Sequence, residues 1–114
     1  ELVSEPMLEG LTETLTGFEN HGGGTVLGPE AKPLGRVVKG TGNGTPEGCE
    51  PAPVAYDGVG QGSIIATYMH GPCLARNPEL ADLLISRATG LELEPLEVPG
   101  VGALRAERLG TLGV

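Results

Sequence analysis

Short apolar runs, separated by turns rich in glycine and proline, dominate the pattern of this 114-residue chain. Apolar and polar residues partly alternate over residues 11–19, which predicts a strand there. The glycines of residues 21–24 predict a sharp turn, and residues 25–27 a returning strand, so that the two strands would form a hairpin-like unit. Another strand is predicted over residues 34–39, which read LGRVVK.

The strongest strand pattern lies in residues 63–69. β-branched and apolar residues occur here at both odd and even positions, a pattern typical of a strand buried on both faces. Residues 46–62 are rich in proline and glycine and predict a loop with one short strand near residues 54–56. His70 directly follows residues 63–69. Its imidazole is therefore expected at the carboxyl end of a buried strand, where open α/β sheets carry their active sites.

One helix has clear start and stop signals. Asn77 is predicted to cap it, Pro78 to occupy its first position and Gly90 to end it. Leucines at positions 80, 83 and 84 predict one apolar face. Residues 91–100 read as an extended arm and residues 101–109 as a short terminal helix. Strands followed by helices predict an α/β fold with a mixed sheet and packed helices.

The composition excludes several classes of function. A formal net charge of -8 argues against a nucleic-acid groove and against an anionic membrane surface. No apolar run approaches the roughly 20 residues of a membrane span. The first residues lack the basic and apolar regions of a signal peptide. Together with two cysteines that favour free thiols, this predicts a cytoplasmic protein.

Few residues offer catalytic or ligand-binding chemistry. Two histidines, even with Glu19 added, are too few for a zinc site, so no metal is expected. The glycine clusters of residues 40–45 and 58–63 lack the lysine, or the following helix, of a nucleotide-binding loop, so no cofactor is expected. A lone histidine is more often structural than catalytic. The strand-end position nevertheless makes His70 a candidate general base for a thiol or hydroxyl nucleophile.

Three segments resemble the class I glutamine amidotransferases of the cobyric-acid-synthase-like branch. They are LTGFENHGG at residues 15–23, GTGNG at residues 40–44 with the following EG at 47–48, and ATYMHGPCLARNP at residues 66–78. The resemblance covers roughly residues 2–90. It implies that residues 1–90 are the C-terminal half of a three-layer α/β amidotransferase domain, followed by an extended arm and short terminal helix over residues 91–114.

The same resemblance implies a mechanism of the cysteine–histidine type. In the family, a cysteine attacks the carboxamide of glutamine, and His70 stands at the position of the histidine that activates it. Pro72 occupies the position of the third catalytic residue of many class I enzymes, a departure that this branch shares. Neither Cys49 nor Cys73 matches the nucleophile, which is expected before residue 1. This chain alone is therefore expected to be inactive.

The segment around Asn20, His21 and Gly22 matches the part of class I enzymes that lies beside the bound glutamine. The resemblance implies that these residues contact the α-groups of glutamine. A hairpin that needs small residues explains the segment equally well.

Within the branch, the motifs are nearest to glutaminase subunits that supply ammonia to a Mur-ligase-like partner, which amidates D-glutamate of lipid II in peptidoglycan synthesis. The resemblance implies that ATP and Mg²⁺ belong to the partner and that this chain holds no cofactor. Two alternatives remain. One is an amidotransferase of the cobyric-acid type, and the other is a non-catalytic binding module that has lost its nucleophile.

Overall fold

The computed structural model describes residues 1–114, which form six short strands followed by three helices. This order confirms the predicted α/β composition. The strands are β1 (Leu2–Pro6), β2 (Leu15–Gly17), β3 (Gly35–Lys39), β4 (Tyr56–Asp57), β5 (Val59–Gln61) and β6 (Ile64–Ala66). The helices are α1 (Cys73–Arg76), α2 (Pro78–Thr89) and α3 (Val101–Thr111).

The main sheet has the strand order β2-β1-β3-β4, and every pairing in it is antiparallel. The predicted mixed sheet is therefore wrong. Parallel strands need a crossover connection, usually a helix, whereas all three helices follow the last strand. The strand β1 has neighbours on both sides, and the sequence pattern did not mark it as a strand because its five residues offer too few alternations.

The predicted hairpin over residues 11–27 is wrong in its second half. The first strand is present only as β2. Residues 25–27 form no strand, and Val26 is 75% exposed. The backbone N–H of Thr25 donates instead to the carbonyl oxygen of Asn43 at 2.8 Å. This segment therefore packs against the glycine cluster of residues 40–45 and not against β2.

The doubly buried strand predicted for residues 63–69 is also wrong. Only β6 forms there, and it pairs with β5 alone in a separate two-stranded sheet. Ile64 is 61% exposed, whereas Ile65 packs against the hydrophobic core and Met69 is part of it. The apolar run thus reaches the core at separate points and not along a central strand.

The core is aliphatic, as expected for a chain with three aromatic residues. It is a cluster of six buried side chains, with Leu83 and Leu84 of α2 packed against it: Leu2, Leu11, Leu15, Leu34, Met69 and Leu80. The helix α2 begins at Pro78 and ends at Thr89 as predicted. Gly90 follows it with a φ of 74°, a left-handed conformation that glycine adopts readily.

The predicted terminal helix is present as α3, and it contacts the segment before β2 and the end of α1. The Arg105 guanidinium donates to the carbonyl oxygen of Thr14 at 2.7 Å and also to that of Arg76. Near the end of α3, the Lys39 ammonium donates to the carbonyl oxygen of Leu112 at 3.1 Å. The longest helix has 12 residues, and none is long and apolar enough to cross a membrane.

Candidate functional site

The predicted base and the predicted glutamine-contacting segment lie side by side. An isolated antiparallel bridge joins Phe18 to His70, and the His70 N–H donates to the Phe18 carbonyl oxygen at 2.5 Å. Only Glu19 separates Phe18 from residues 20–22, so the structure brings His70 and this segment together. His70 is exposed and lies beyond the end of β6, so the expectation of a buried strand tip is wrong.

Residues 67 and 68, which lead to His70, are held by hydrogen bonds to a buried carboxyl group, that of Asp57. Oδ2 of Asp57 accepts a hydrogen bond from the Thr67 hydroxyl at 2.5 Å, and Oδ1 accepts one from the Tyr68 N–H at 3.3 Å. Burial raises the pKa of Asp57, although both hydrogen bonds oppose this. The only sequence signal for Asp57 is its place directly after the short strand predicted near residues 54–56.

The His21 ring is held on three sides. It stacks on the Tyr68 ring, with a centroid distance of 3.9 Å and an interplanar angle of 18°. Its Nε2 lies 2.9 Å from Oε2 of Glu19, and its Nδ1 lies 2.8 Å from the carbonyl oxygen of Gly23. Both ring nitrogens face acceptors, so the doubly protonated imidazolium fits best. The hydrogen bond to Glu19 raises the pKa of His21 accordingly.

Glu19 connects His21 to the glycine cluster of residues 40–45. Its carboxylate accepts hydrogen bonds from the backbone N–H groups of Thr41 at 2.6 Å and Gly42 at 3.0 Å. Although burial favours the neutral acid, these bonds and the one from His21 lower the pKa of Glu19. Gly42 has a φ of 63°, and a Cβ there would lie 2.5 Å from the Tyr56 carbonyl oxygen. The glycine cluster is thus an anchor for Glu19.

Asn20 and Gly22 flank His21 and face open space. Asn20 is exposed, and its side chain makes no hydrogen bond within the chain. A Cβ added to Gly22 would meet no atom within 4 Å. Gly22 also lines a cleft of about 360 Å³ with a short polar loop that includes Thr45 and Glu47. Packing therefore gives no reason for a glycine at this position.

The two thiols are not arranged as activated nucleophiles. Cys49 is exposed in a loop, and Cys73 is partly buried at the start of α1. Burial raises the pKa of the Cys73 thiol, which opposes formation of the thiolate. The structure contains no group of three or more histidine, cysteine, aspartate or glutamate side chains that could hold a metal ion.

Comparison with known proteins gives consistent matches. Residues 2–78 match the family model of the CobB/CobQ-like glutamine amidotransferase domain. The lipid II isoglutaminyl synthase (glutamine-hydrolyzing) subunit GatD of Streptococcus pneumoniae is 42% identical over 80 residues, which are 70% of this chain and 28% of that protein. The subunit of the same name from Staphylococcus aureus is 33% identical over 99 residues, 84% of this chain and 37% of that protein.

A probable cobyric acid synthase of Methanothermobacter thermautotrophicus is 44% identical over 59 residues, 52% of this chain and 10% of that protein. The chain thus spans 28% and 37% of the length of the two GatD subunits. The family match covers both segments that meet at the Phe18–His70 bridge. As the sequence motifs predicted, this chain belongs to the family of CobB/CobQ-like glutamine amidotransferases.

Proposed function

We propose that the full protein is a glutaminase of the cysteine–histidine type and that His70 is its general base. The observation that carries this proposal is the Phe18–His70 bridge, because it sets the only exposed candidate base beside residues 20–22. The nucleophile is a cysteine outside these 114 residues. Neither Cys49 in its loop nor Cys73 with its raised pKa suits the role. On this proposal the chain is the C-terminal part of the amidotransferase domain, and alone it is inactive.

In the proposed reaction, His70 takes the thiol proton and the thiolate attacks the carboxamide carbon of glutamine. His70 then returns the proton to the leaving nitrogen, which departs as ammonia and leaves a thioester. Water hydrolyses the thioester with His70 again acting as base, and glutamate is released. An exposed imidazole suits this role because it must reach a group on another part of the protein.

We propose further that residues 20–22 contact the α-groups of glutamine. Three observations support this. The amide of Asn20 has no partner within the chain, Gly22 has no steric reason to be glycine, and the His21 ring is held in place beside them by Glu19 and Gly23. The alternative of a hairpin that needs small residues is weaker, because residues 25–27 form no strand.

The ammonia is proposed to pass to a Mur-ligase-like partner that amidates D-glutamate of lipid II and that binds ATP and Mg²⁺. The support is the match to two proteins named as GatD subunits, which covers more of this chain than the match to a probable cobyric acid synthase does. The cytoplasm is the proposed location, since the partner's reaction needs ATP.

The test uses the full protein with its partner and compares wild type with His70→Ala. Removing the base should lower ammonia release from glutamine by roughly 10²–10⁴-fold. Amidation driven by added ammonium salt should be retained, because it bypasses glutamine hydrolysis and so controls for an intact complex. Undiminished ammonia release in His70→Ala would contradict the proposal. Amidation of a cobalamin precursor, and not of lipid II, would instead support the cobyric-acid type.

A further inference from the structure

Asn77 is a buried polar side chain next to the site, and the structure uses it differently from what the sequence predicts. It occupies the N-cap position of α2, but its side chain makes no capping hydrogen bond. The residue is only 2% exposed. A buried amide needs partners elsewhere, since leaving it unpaired would cost the fold its lost hydrogen bonds to water.

The Asn77 amide instead joins β2 to α1. Its Oδ1 accepts a hydrogen bond from the Thr16 N–H at 2.9 Å, and its Nδ2 donates to the Thr16 carbonyl oxygen at 2.8 Å. Nδ2 also donates to the carbonyl oxygen of Cys73 at 2.7 Å. These three partners are backbone groups, and a fourth, longer contact comes from a side chain, because the Arg105 guanidinium donates to Oδ1 at 3.5 Å.

These bonds close a loop around the proposed base. Beyond Thr16, β2 leads to Phe18, which bridges His70. Beyond His70, the chain passes through residues 71 and 72 to Cys73, which the Asn77 amide ties back to Thr16. Residues 71 and 72 belong to no helix or strand. Other contacts also hold this segment, among them the Phe18 bridge and the bond from the Arg76 guanidinium to the Thr16 hydroxyl at 2.9 Å. The Asn77 amide is the group that ties the Cys73 backbone, three residues after His70, to the backbone of β2.

We propose that Asn77 is a positioning residue for glutamine hydrolysis. It touches neither glutamine nor the nucleophile, and it acts by fixing His70 relative to residues 18–22 through Thr16 and Cys73. This inference rests on the proposed function. A planar carboxamide presents one acceptor oxygen and two donor hydrogens. The oxygen accepts from the Thr16 N–H and, at longer range, from Arg105, and the two hydrogens meet the two carbonyl oxygens. Aspartate would aim an oxygen at two carbonyl oxygens, and serine is too short to reach them.

The test measures kcat and KM for glutamine in the full protein with its partner. Asn77→Asp should lower kcat by roughly 10- to 100-fold, because a displacement of about 1 Å in a catalytic group costs about that much. KM should change by less than about threefold, since the residues proposed to contact glutamine remain. Asn77→Ser should behave alike, and it is the more reliable variant because serine can cap α2 and support the fold.

Leu83→Ala is the matched control, because Leu83 lies in the helix that Asn77 precedes, packs against the core and takes part in none of the hydrogen bonds of the Asn77 amide. It should lower the melting temperature while kcat per folded molecule stays at the wild-type value. Unchanged kcat in folded Asn77→Ser, or an equal loss of kcat in Leu83→Ala, would overturn the inference. The His70→Ala variant separates the two proposals, since its failure to abolish hydrolysis would refute the proposed function whatever Asn77 does.

Discussion

The imidazole of His21 lies against the carboxylate of Glu19, with Nε2 and Oε2 2.9 Å apart, and the two form an ion pair when the imidazole is protonated. The pair is well shielded from water, since the two side chains are 13% and 12% exposed. Through the backbone bonds of Glu19, it ties the GFENH segment to the glycine cluster of residues 40–45. Two of the segments that resemble the family, residues 15–23 and residues 40–44, are therefore in contact through Glu19.

This pair should make stability depend on pH. The pKa of His21 is raised above its ordinary 6.5, so its contribution is complete below 6.5 and is lost as pH rises through the folded value. The pKa of Glu19 is lowered below 4.5, so its contribution is present above 4.5 and is lost as pH falls through the folded value. The pair should stabilise the full protein most between pH 4.5 and 6.5.

Calorimetry of His21→Gln, Glu19→Gln and the double variant measures this contribution as a coupling free energy. The coupling should be largest in that pH window and should fade well above the raised pKa of His21. A coupling that stays constant into the alkaline range would contradict the predicted ion pair.

Asp57→Asn should raise the melting temperature of the full protein at neutral pH. Burial raises the pKa of Asp57 above its ordinary 3.8, so the charged carboxylate weakens folding at neutral pH, and this cost disappears below both pKa values. The introduced amide can still accept from the Tyr68 N–H and donate to the Thr67 hydroxyl oxygen. The gain should shrink as pH falls toward 3.8 and below.

Thr67→Val is the companion variant. It removes the Thr67 hydroxyl, which donates a hydrogen bond to the Asp57 carboxylate and accepts one from the Met69 N–H. It should lower the melting temperature at neutral pH, and its loss of a buried hydrogen bond is expected to cost roughly 1–3 kcal/mol. A lower melting temperature for Asp57→Asn than for the wild type at neutral pH would show that the charged Asp57 carboxylate does not destabilise the fold.

Gly22→Ala should raise KM for glutamine several-fold and leave the melting temperature unchanged. The added methyl group meets no atom of the chain but enters the open space where the α-groups of glutamine are proposed to bind. Gly28→Ala is the matched control, since its Cβ also meets nothing within 4 Å and Gly28 lies outside the proposed contact segment. The measurement is KM for glutamine from the steady-state kinetics of both variants. Equal KM values for the two would remove Gly22 from the glutamine site.

The parts of the fold that local chemistry determines were predictable. The bounds of α2 follow from Pro78 at its start and Gly90 at its end, and both act within one turn of the helix. The apolar run of residues 63–69 misled because alternation cannot tell a strand buried on two faces from one that reaches the core only at Ile65 and Met69.

The site was predictable only as far as its motifs. His70 and residues 20–22 were named from the resemblance, and the structure adds that they are neighbours. The hydrogen bonds of Asp57 and Asn77 could not be predicted, because their partners are distant in the sequence and meet them only in the folded chain. The Asn77 amide bonds to Thr16, 61 positions away, and no local pattern records such a pairing.

The docking of Arg105 has a consequence for the order of folding. Its bond to Thr14 spans 91 positions, and its bond to Arg76 lies beside Asn77. Contacts of such long sequence separation close late, because the loop between them must first be ordered. During synthesis, the early strands emerge before either Asn77 or Arg105 exists to hold them. The contacts that Asn77 and Arg105 make near His70 are therefore expected to form only after residue 105 has been synthesised.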